Sequence, residues 1–378
     1  MLTKLIDLGY VGTGTTPSMK NPDYYNSNDI LFIKPSDIND NGVTELTDSE
    51  FFISNAARKK ARIIPKNTIL CVCIGSIGKI AITTKESSCN QQINYIIPSE
   101  DHNAKFLAYS LLSRKNELIR IGSDGPVVPI INKSRFENIE IITFDYNKET
   151  EIANELDNIR NIINIKQNEL NHLDELIKSR FIEMFGDRLI NLNKKMSSIA
   201  TPVIGLTYKP SNVTKDGTIV LRSGNIQNNE LQLEEDIVRV SNINISEQKW
   251  IKDKDILMCS RNGSARLVGK SCLIRHPKEQ MSFGAFMTVV RTKYPYFLQG
   301  FFTSDYFKNQ LTGVGTASVN QITSGMLNNY DVIEPTEVEE KEFESYVKQI
   351  DKSKFIVQQE IKDLQELLDK KMDEYFGQ

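Results

Sequence analysis

The sequence has few of the residues from which metal sites and disulfide frameworks are built. Its 378 residues include three histidines and five cysteines. The cysteines are odd in number and stand in apolar, strand-like runs (Cys71, Cys73, Cys89, Cys259 and Cys272), which predicts reduced core thiols. The scattered histidines argue against a histidine-based metal site, and the Cys-x-Cys pair lacks the second pair of ligands that zinc requires.

Long hydrophobic runs are also missing. No apolar stretch approaches the ~18 to 20 residues of a membrane span, and the N-terminus has no apolar segment typical of a secretory signal. With 39% hydrophobic and 25% charged residues, the composition is that of a globular protein, and the length predicts two or three domains. We therefore expect a cytoplasmic protein.

Complete catalytic motifs are absent as well. Asn21-Pro22-Asp23-Tyr24 is similar to the Asn-Pro-Pro-Tyr motif of amino-group methyltransferases, but no Gly-rich cofactor loop accompanies it, so a turn is the better interpretation. The segment from Gly263 to Ser271 has five spacer residues where a P-loop has four, and it continues as a strand, which predicts a hairpin loop. We find no nucleophile–base set and no paired carboxylates at nuclease spacing.

The net charge of −3 conceals an uneven distribution. Residues 1–147 have a net charge of 0, residues 148–187 of −4, residues 188–335 of +6 and residues 336–378 of −5. Two short acidic segments therefore mask one neutral and one basic segment. Because phosphate binding depends on a local basic face, the acidic total does not exclude a nucleic-acid partner.

The same four segments are related by an internal repeat. KQNELNHLDELIKSRFIEMFGD (166–187) matches VQQEIKDLQELLDKKMDEYFGQ (357–378) at eight of 22 positions, at an offset of 191. At the same offset 122–142 faces 313–333. These matches predict a tandem duplication with four parts: a globular domain at 1–147, a helix at 148–187, a second globular domain at 188–335 and a second helix at 336–378.

The two acidic segments are predicted to be long helices. Their apolar residues recur about every 3.5 positions, the period of a coiled-coil seam. Gly186 and Gly377 are expected to end the helices, which would then have roughly 36–39 residues and a length of roughly 54–58 Å. Since a globular domain separates them, an antiparallel pair with pseudo-twofold symmetry is the simplest arrangement.

The globular segments are predicted to be mixed α/β (α+β) domains with many short strands. The predicted strands are 30–33, 68–74, 81–84, 94–97 and 139–143 in the first domain, and 219–222, 256–259, 271–275 and 286–291 in the second. Each domain also has a predicted helix, at 104–121 and at 295–311.

The loops of both domains carry residue types that bind nucleic acid. Arginine pairs with guanine, asparagine and glutamine pair with adenine, and lysine and serine mostly hold phosphate. Five positive charges fall within residues 58–66 without an acid. Each patch alone is more often a solvated surface than a binding site, but the recurrence of such patches in both repeats favours binding. The candidate DNA-binding residues are Thr15, Thr16, Lys20, Lys34, Ser36, Arg58, Lys59, Lys60, Ser76, Lys79, Gln91, Gln92, Tyr208, Lys209, Arg222, Ser223, Asn225, Arg261, Asn262, Ser264 and Arg266.

This organisation resembles the specificity (S) subunits of Type I restriction–modification systems over essentially the whole chain. The resemblance rests on the order domain–helix–domain–helix, on the helix endings FIEMFGD and MDEYFGQ, and on GTGTTPSMKNPDYYNSNDILFIKPSDI and IPKNTILCVCIGSIG. It implies that each domain reads one half of a bipartite, asymmetric site in double-stranded DNA, and that the helices act as a ruler. It also implies a bacterial or archaeal protein of the cytoplasm, associated with the nucleoid.

The resemblance further implies partners that carry the chemistry. Two methyltransferase subunits with S-adenosylmethionine would dock on the helices, and a motor subunit, if present, would use ATP and Mg, so that this chain binds no cofactor or metal and is not catalytic. Candidate docking residues are Glu169, Glu175, Phe185, Glu360, Glu366 and Phe376. Two alternatives stay open: the DNA-reading part of a fused or solitary adenine methyltransferase or nuclease system, and a coiled-coil scaffold that does not bind DNA.

Overall fold

The computed structural model describes residues 1–123, 129–234, 236–312 and 321–377. The chain divides into two compact units, Met1–Gln167 with Glu360–Gln378, and Asn168–Gln359. Each unit therefore contains one globular part and a segment of each long helix. Parts of the repeat between 122–142 and 313–333 lie outside the described residues.

The first unit is built on two small sheets. Its strands are β1 (Leu2–Lys4), β2 (Gly9–Thr13), β3 (Ile30–Ile33), β4 (Val43–Leu46), β5 (Phe52–Ile53), β6 (Ile63–Ile64), β7 (Ile69–Val72), β8 (Ile80–Thr83), β9 (Ser87–Cys89), β10 (Ile93–Pro98) and β11 (Glu140–Ile142). Its helices are α1 (Leu5–Leu8), α2 (Ala104–Ser113), α3 (Lys115–Ser123), α4 (Lys133–Glu137) and the beginning of α5 (Tyr146–Leu189). The sheets have the orders β2-β10-β7-β8-β4 and β5-β3-β9-β6, and β1 pairs with β11.

The second unit repeats this plan. Its strands are β12 (Lys194–Lys195), β13 (Ala200–Ile204), β14 (Val213–Thr214), β15 (Thr218–Leu221), β16 (Ile226–Gln227), β17 (Glu230–Leu231), β18 (Arg239–Val240), β19 (Ile256–Cys259), β20 (Ser271–Leu273), β21 (Met281–Phe283), β22 (Met287–Thr292) and β23 (Asp331–Val332). Its helices are α6 (Pro295–Thr303), α7 (Asp305–Thr312), α8 (Ser324–Asn329) and the beginning of α9 (Glu337–Phe376). The larger sheets have the orders β13-β22-β19-β20 and β14-β18-β15-β21.

The two units share a topology, which confirms the predicted duplication of a mixed α/β domain. The order β2-β10-β7-β8 of the first unit corresponds to β13-β22-β19-β20 of the second. The same backbone hydrogen bonds recur: the Gly14 amide donates to the carbonyl of Ile93 (2.9 Å), and the Gly205 amide donates to that of Met287 (3.2 Å). Both glycines pass so close to the neighbouring strand that a Cβ atom would lie within about 2 Å of a backbone oxygen.

The long helices pack against each other in antiparallel fashion, as predicted. In the first unit Glu155 of α5 pairs with Lys371 of α9 at 3.1 Å, and Lys166 pairs with Glu360 at 2.8 Å. Residue numbers thus fall along α9 as they rise along α5. In the second unit the pairs Asp174–Lys354 (2.9 Å) and Arg188–Glu339 (2.6 Å) follow the same rule.

Several predicted helix limits need correction. Helix α5 has 44 residues and continues three residues past Gly186, because Leu189 is buried in the core and tertiary packing outweighs the local stop signal. Gly377 does end α9, and its amide donates to the carbonyl of Asp373 at 2.8 Å. The single helices predicted at 104–121 and 295–311 are each two helices. The breaks lie at Arg114, and at Ser304 with its extended backbone.

The repeated phenylalanines near the helix ends are core residues. Phe376 of α9 is 4% exposed, and its ring lies 5.3 Å from that of Phe106 in α2. Phe185 of α5 is 1% exposed and lies 4.9 Å from Phe297 of α6. The expectation that these two side chains contact a partner subunit is therefore corrected, because burial of their rings attaches each helix end to a globular part.

A buried glutamate in the first turn of each long helix attaches the N-terminal end of that helix to a globular part. Glu149 of α5 accepts hydrogen bonds from the amides of Asn103 (2.8 Å) and Phe144 (3.2 Å). Glu340 of α9, 191 positions later, accepts hydrogen bonds from the amides of Tyr296 (2.8 Å) and Phe297 (2.9 Å). Glu149 thus satisfies one amide at the start of α2, and Glu340 satisfies two at the start of α6, where the helix dipole favours negative charge. Sequence reasoning missed this pair, although the offset of 191 could have revealed it.

Candidate nucleic-acid interface

The second unit has a groove of about 910 Å³ that collects residues from five separate segments. Its lining includes five of the predicted DNA-binding residues: Tyr208, Arg222, Ser223, Arg261 and Asn262. Backbone at Gly224, Gly263 and Gly284 lines the same groove, and these positions carry no side chains that would narrow it. The groove therefore presents cationic, amide and hydroxyl groups together, which is the chemistry needed to contact base edges and phosphates.

Arg261 is the groove residue with the largest unused hydrogen-bonding capacity. Its guanidinium carbon lies 5.4 Å from the ring centroid of Phe286, which is 59% exposed. Within the described parts of the chain, no acceptor forms a side-chain hydrogen bond or ion pair with this guanidinium. All five of its N–H donors are thus available to a ligand.

Two neighbouring loops of the groove are tied together. The Asn262 side-chain amide donates to the Ser223 hydroxyl at 3.2 Å, and the Ser264 amide donates to the Asn262 carbonyl oxygen at 2.9 Å. Asn225 is 1% exposed and accepts a bond from the Arg222 amide at 2.9 Å. Its buried side chain closes the turn below the groove and is not presented at the surface, contrary to the sequence expectation for this residue.

In the first unit the equivalent sheet edge carries mainly hydroxyl and amide groups. The Thr16 hydroxyl donates to the Gln91 side chain at 2.6 Å, and the Asn90 side chain donates to that of Gln92 at 2.8 Å. The Thr15 hydroxyl accepts a bond from the Arg62 amide at 3.1 Å, so Arg62 belongs to this cluster. Arg62 was part of the predicted basic run but was not selected as a contact residue.

The predicted basic residues of the first unit differ in availability. Arg58 forms an ion pair with Glu86, and the Lys79 ammonium donates to the carbonyl of Ile38 at 3.1 Å. Lys59 and Lys60 are exposed and form no ion pair with another described residue.

The remaining first-unit candidates lie in different surroundings. The Lys34 ammonium lies 3.0 Å from the ring centroid of Phe51, a cation–π contact. Lys20, Ser36 and Ser76 are exposed. In the second unit Lys209 and Arg266 are exposed too, outside the groove lining.

Backbone pairing identifies which positions correspond between the units. Ile74 bridges to Ile130, and Arg261 bridges to Gln321 at the matching place. The Cys73 amide donates to the carbonyl of Gln92, just before β10. In the same way the Ser260 amide donates to the carbonyl of Phe286, just before β22. Arg261 and Phe286 of the second unit thus occupy the positions of Ile74 and Gln92 in the first. The two units present different chemistry from the same framework.

The predicted docking glutamates lie on the surfaces of the long helices. Glu169, Glu175 and Glu366 are exposed, and Glu360 is partly buried beside Lys166. Glu175 pairs with Lys178 on its own helix at 2.7 Å.

The incomplete motifs have the structures that were predicted for them. Asn21 caps a short 3₁₀ turn, accepting a bond from the Asp23 amide at 3.1 Å. Residues 260–270 connect the antiparallel strands β19 and β20 as a hairpin loop, and no helix of P-loop type begins there.

The cysteine prediction is also confirmed. All five cysteines are free and buried, and burial raises the pKa of Cys89 and of Cys272 to about 12. Among the described residues, no group of three His, Cys, Asp or Glu side chains is placed to hold a metal ion. In the same ranges no helix combines the length and the apolar character needed to cross a membrane.

Comparison with known proteins agrees with this architecture. Residues 1–175 match the family model of the Type I restriction modification DNA specificity domain. The Type I restriction enzyme HindI specificity subunit of Haemophilus influenzae is 36% identical over 141 residues, which are 37% of this chain and 30% of that protein. The MjaIX specificity subunit of Methanocaldococcus jannaschii is 29% identical over 187 residues, 48% of this chain and 43% of that protein. The chain thus spans less than half the length of these curated relatives.

Solved structures extend the similarity to the whole chain. The Type I restriction–modification S subunit from M. genitalium aligns over 100% of this chain and 96% of its own, with 14% identity and a TM-score of 0.57. A chain from a study of complex assembly and conformational transition in a type I system aligns over 100% and 97%, with 14% identity and a TM-score of 0.56. Residues 1–175 are therefore similar to the Type I restriction modification DNA specificity domain, and the chain as a whole has a fold similar to that of the solved S subunit.

Proposed function

We propose that this chain is the DNA-reading subunit of a Type I restriction–modification complex, and that each unit reads one half of a bipartite, asymmetric DNA site. The main support is that equivalent positions at one sheet edge carry different side chains in the two units, Arg261 and Phe286 in one and Ile74 and Gln92 in the other. A shared framework with different reading groups is suited to two unlike half-sites, since base contacts specify and the framework positions. The names of the relatives are consistent with this role.

The test is methylation sequencing of cells that carry the chain with its methyltransferase partner. We expect methylated adenines within a two-part motif. Arg261→Ala or Asn262→Ala should relax the half read by the second unit and leave the other half intact, because both residues line the groove of that unit alone. Equal relaxation of both halves by either variant would contradict two independent readers.

The long helices are proposed to dock two methyltransferase subunits. Their acidic segments are poor surfaces for DNA, and the negative charge of the exposed glutamates identified above would attract a basic partner. Exchange of Glu169, Glu175, Glu360 and Glu366 for Lys should weaken assembly without unfolding either unit. Mass photometry measures the stoichiometry, and Glu100→Lys, an exposed change on the first globular part, is the matched control. Unchanged assembly of the fourfold variant would count against the docking proposal.

Catalysis is proposed to reside in the partners. S-adenosylmethionine would be bound by the methyltransferase subunits, and ATP with Mg by a motor subunit where one exists, in the bacterial or archaeal cytoplasm at the nucleoid. Lys270 stands in a hairpin loop and Asn21 in a short turn, and this local structure supports the proposal. The purified chain should therefore show no methyl transfer, ATP hydrolysis or DNA cleavage. Turnover that persists in Asn21→Ala and Lys270→Ala variants would overturn the non-catalytic assignment.

A further inference from the structure

We propose that the second unit reads a guanine through Arg261, and that Phe286 holds the Arg261 guanidinium in position for this contact. The inference rests on the proposed DNA-reading function and makes one of its contacts specific. It also assigns a role to Phe286, a residue that the residue-type argument from sequence does not select.

The Arg261 guanidinium differs from those of several other arginines of the second unit in having free hydrogen-bond donors. Several other arginines of the second unit are already engaged: Arg239 with Glu279 at 3.1 Å, Arg275 with Asp351, and Arg291 with Asp255 at 2.9 Å. Arg261 has no such acceptor among the described residues, is exposed and lines the groove. An exposed arginine with free donors in the lining of a groove is suited to a bidentate ligand.

The chemistry of the groove discriminates between the possible ligands of Arg261. The carboxylate of Asp236 also lines this groove and makes the groove less favourable for a phosphate than a wholly basic lining would be. A guanine edge presents two neutral acceptors, N7 and O6, at the spacing of two guanidinium donors. The groove chemistry thus favours a base edge over the DNA backbone at Arg261.

Phe286 lies beside the Arg261 guanidinium and is itself exposed. Its side chain is 59% exposed, although the next residue in the chain, Met287, is buried. The ring lies 5.4 Å from the guanidinium carbon, within the range of a cation–π contact. Such a contact restricts the rotamers of Arg261 without using any of its hydrogen-bond donors. Phe286 is therefore a positioning residue, and the exposure of its ring has a function.

The first unit provides an internal comparison. At the equivalent positions it has Ile74, which has no donors, and Gln92, whose side chain accepts a bond from Asn90. The first unit cannot make the same guanine contact from this part of its framework. The guanine is accordingly expected in one half of the site only.

The test uses the full chain in complex with its methyltransferase partner and duplexes that contain its methylation motif. Each guanine of the motif is replaced in turn by 7-deazaguanine, which lacks the N7 acceptor. One guanine should show a loss of affinity of about three- to tenfold in the wild-type complex, and replacement of that guanine by adenine should cost about five- to 150-fold. In Arg261→Ala the same 7-deazaguanine should cost nothing, since the acceptor has lost its donor.

Variants separate the contact from its positioning. Arg261→Lys keeps the charge but should lose the guanine preference. Phe286→Leu should reduce the preference by about three- to tenfold, and Phe286→Tyr should restore it, because a tyrosine ring retains the cation–π contact. Lys278→Ala removes an exposed cation outside the groove lining and should leave the 7-deazaguanine effect unchanged.

The outcomes distinguish this inference from the proposed function. If the wild-type complex has a motif but every 7-deazaguanine effect persists in Arg261→Ala, the guanine contact is refuted while the DNA-reading function stands. A Phe286→Leu variant with unaltered preference refutes the positioning role. A wild-type complex without any sequence preference refutes the proposed function itself.

Discussion

Removal of the buried carboxylate at Glu340 should destabilise the second unit far more than removal of any exposed glutamate on the same helix. Glu340 is 5% exposed and accepts hydrogen bonds from the amides of Tyr296 and Phe297. In Glu340→Ala both amides lose their acceptor at a buried helix start, and each orphaned donor costs about 1–3 kcal/mol. Because water gains partial access to the space left by the side chain, we expect Glu340→Ala to lower the free energy of unfolding by about 2–5 kcal/mol.

Urea unfolding and hydrogen exchange measure this loss. Glu337→Ala, an exposed change in the same first turn of α9, is the matched control and should cost about 0.5 kcal/mol through the helix dipole alone. Amide protection in Pro295–Thr303 should fall in Glu340→Ala. Glu149→Ala should lower protection at the start of α2 and at Phe144, and not in the second unit. If Glu340→Ala unfolded within 1 kcal/mol of its control, the capping argument would be refuted.

The same residue should affect the pH dependence of stability. Burial raises the pKa of Glu340 above its ordinary value of 4.5, and the two amide hydrogen bonds only partly offset this effect. When the pKa of a carboxyl group is higher in the native protein than in the unfolded chain, protonation of that group stabilises the native state. This stabilisation is fully present below the unfolded pKa and is lost as the pH rises through the native pKa. Relative to Glu340→Gln, the wild type should therefore gain stability as the pH falls from 7 toward 4.5.

Three further predictions concern the helices and the basic loop. Burial lowers the pKa of Lys354, but its bonds to Glu230 and Asp174 outweigh this effect and raise the pKa overall. Lys354→Met should therefore lower the free energy of unfolding, measured in urea, by about 2–4 kcal/mol. The stability of the wild type should fall as the pH rises above 10.5. A variant as stable as wild type would refute the coupling. Lys59→Ala and Lys60→Ala should weaken binding to all sequences alike and flatten its salt dependence in titrations; altered base preference would argue against phosphate contacts. Lengthening both helices by one heptad should change the gap in the methylation motif and keep both half-sites, and an unchanged gap would refute the ruler.

Local patterns in the sequence determined the architecture of this protein. The apolar period near 3.5 predicted both long helices, and the offset of 191 predicted that the two globular parts share one fold. Strands such as Ile30–Ile33 and Ile256–Cys259 were predicted at their observed limits, because they are short, fully buried apolar runs bounded by polar loops. These features depend on near neighbours in the chain and can be read without a structure.

Tertiary packing decided the rest. The end of α5 lies beyond Gly186, since Leu189 is more stable in the core than in solvent, and the phenylalanines taken for docking residues are part of that core. Glu149 and Glu340 look like any acidic residue at a helix start until α2 and α6 place their amides against them. The groove joins Tyr208, Arg222 and Arg261 from segments far apart in the chain. The order of the strands brings them together, and no local pattern encodes the distance between residues that meet only when the sheets form.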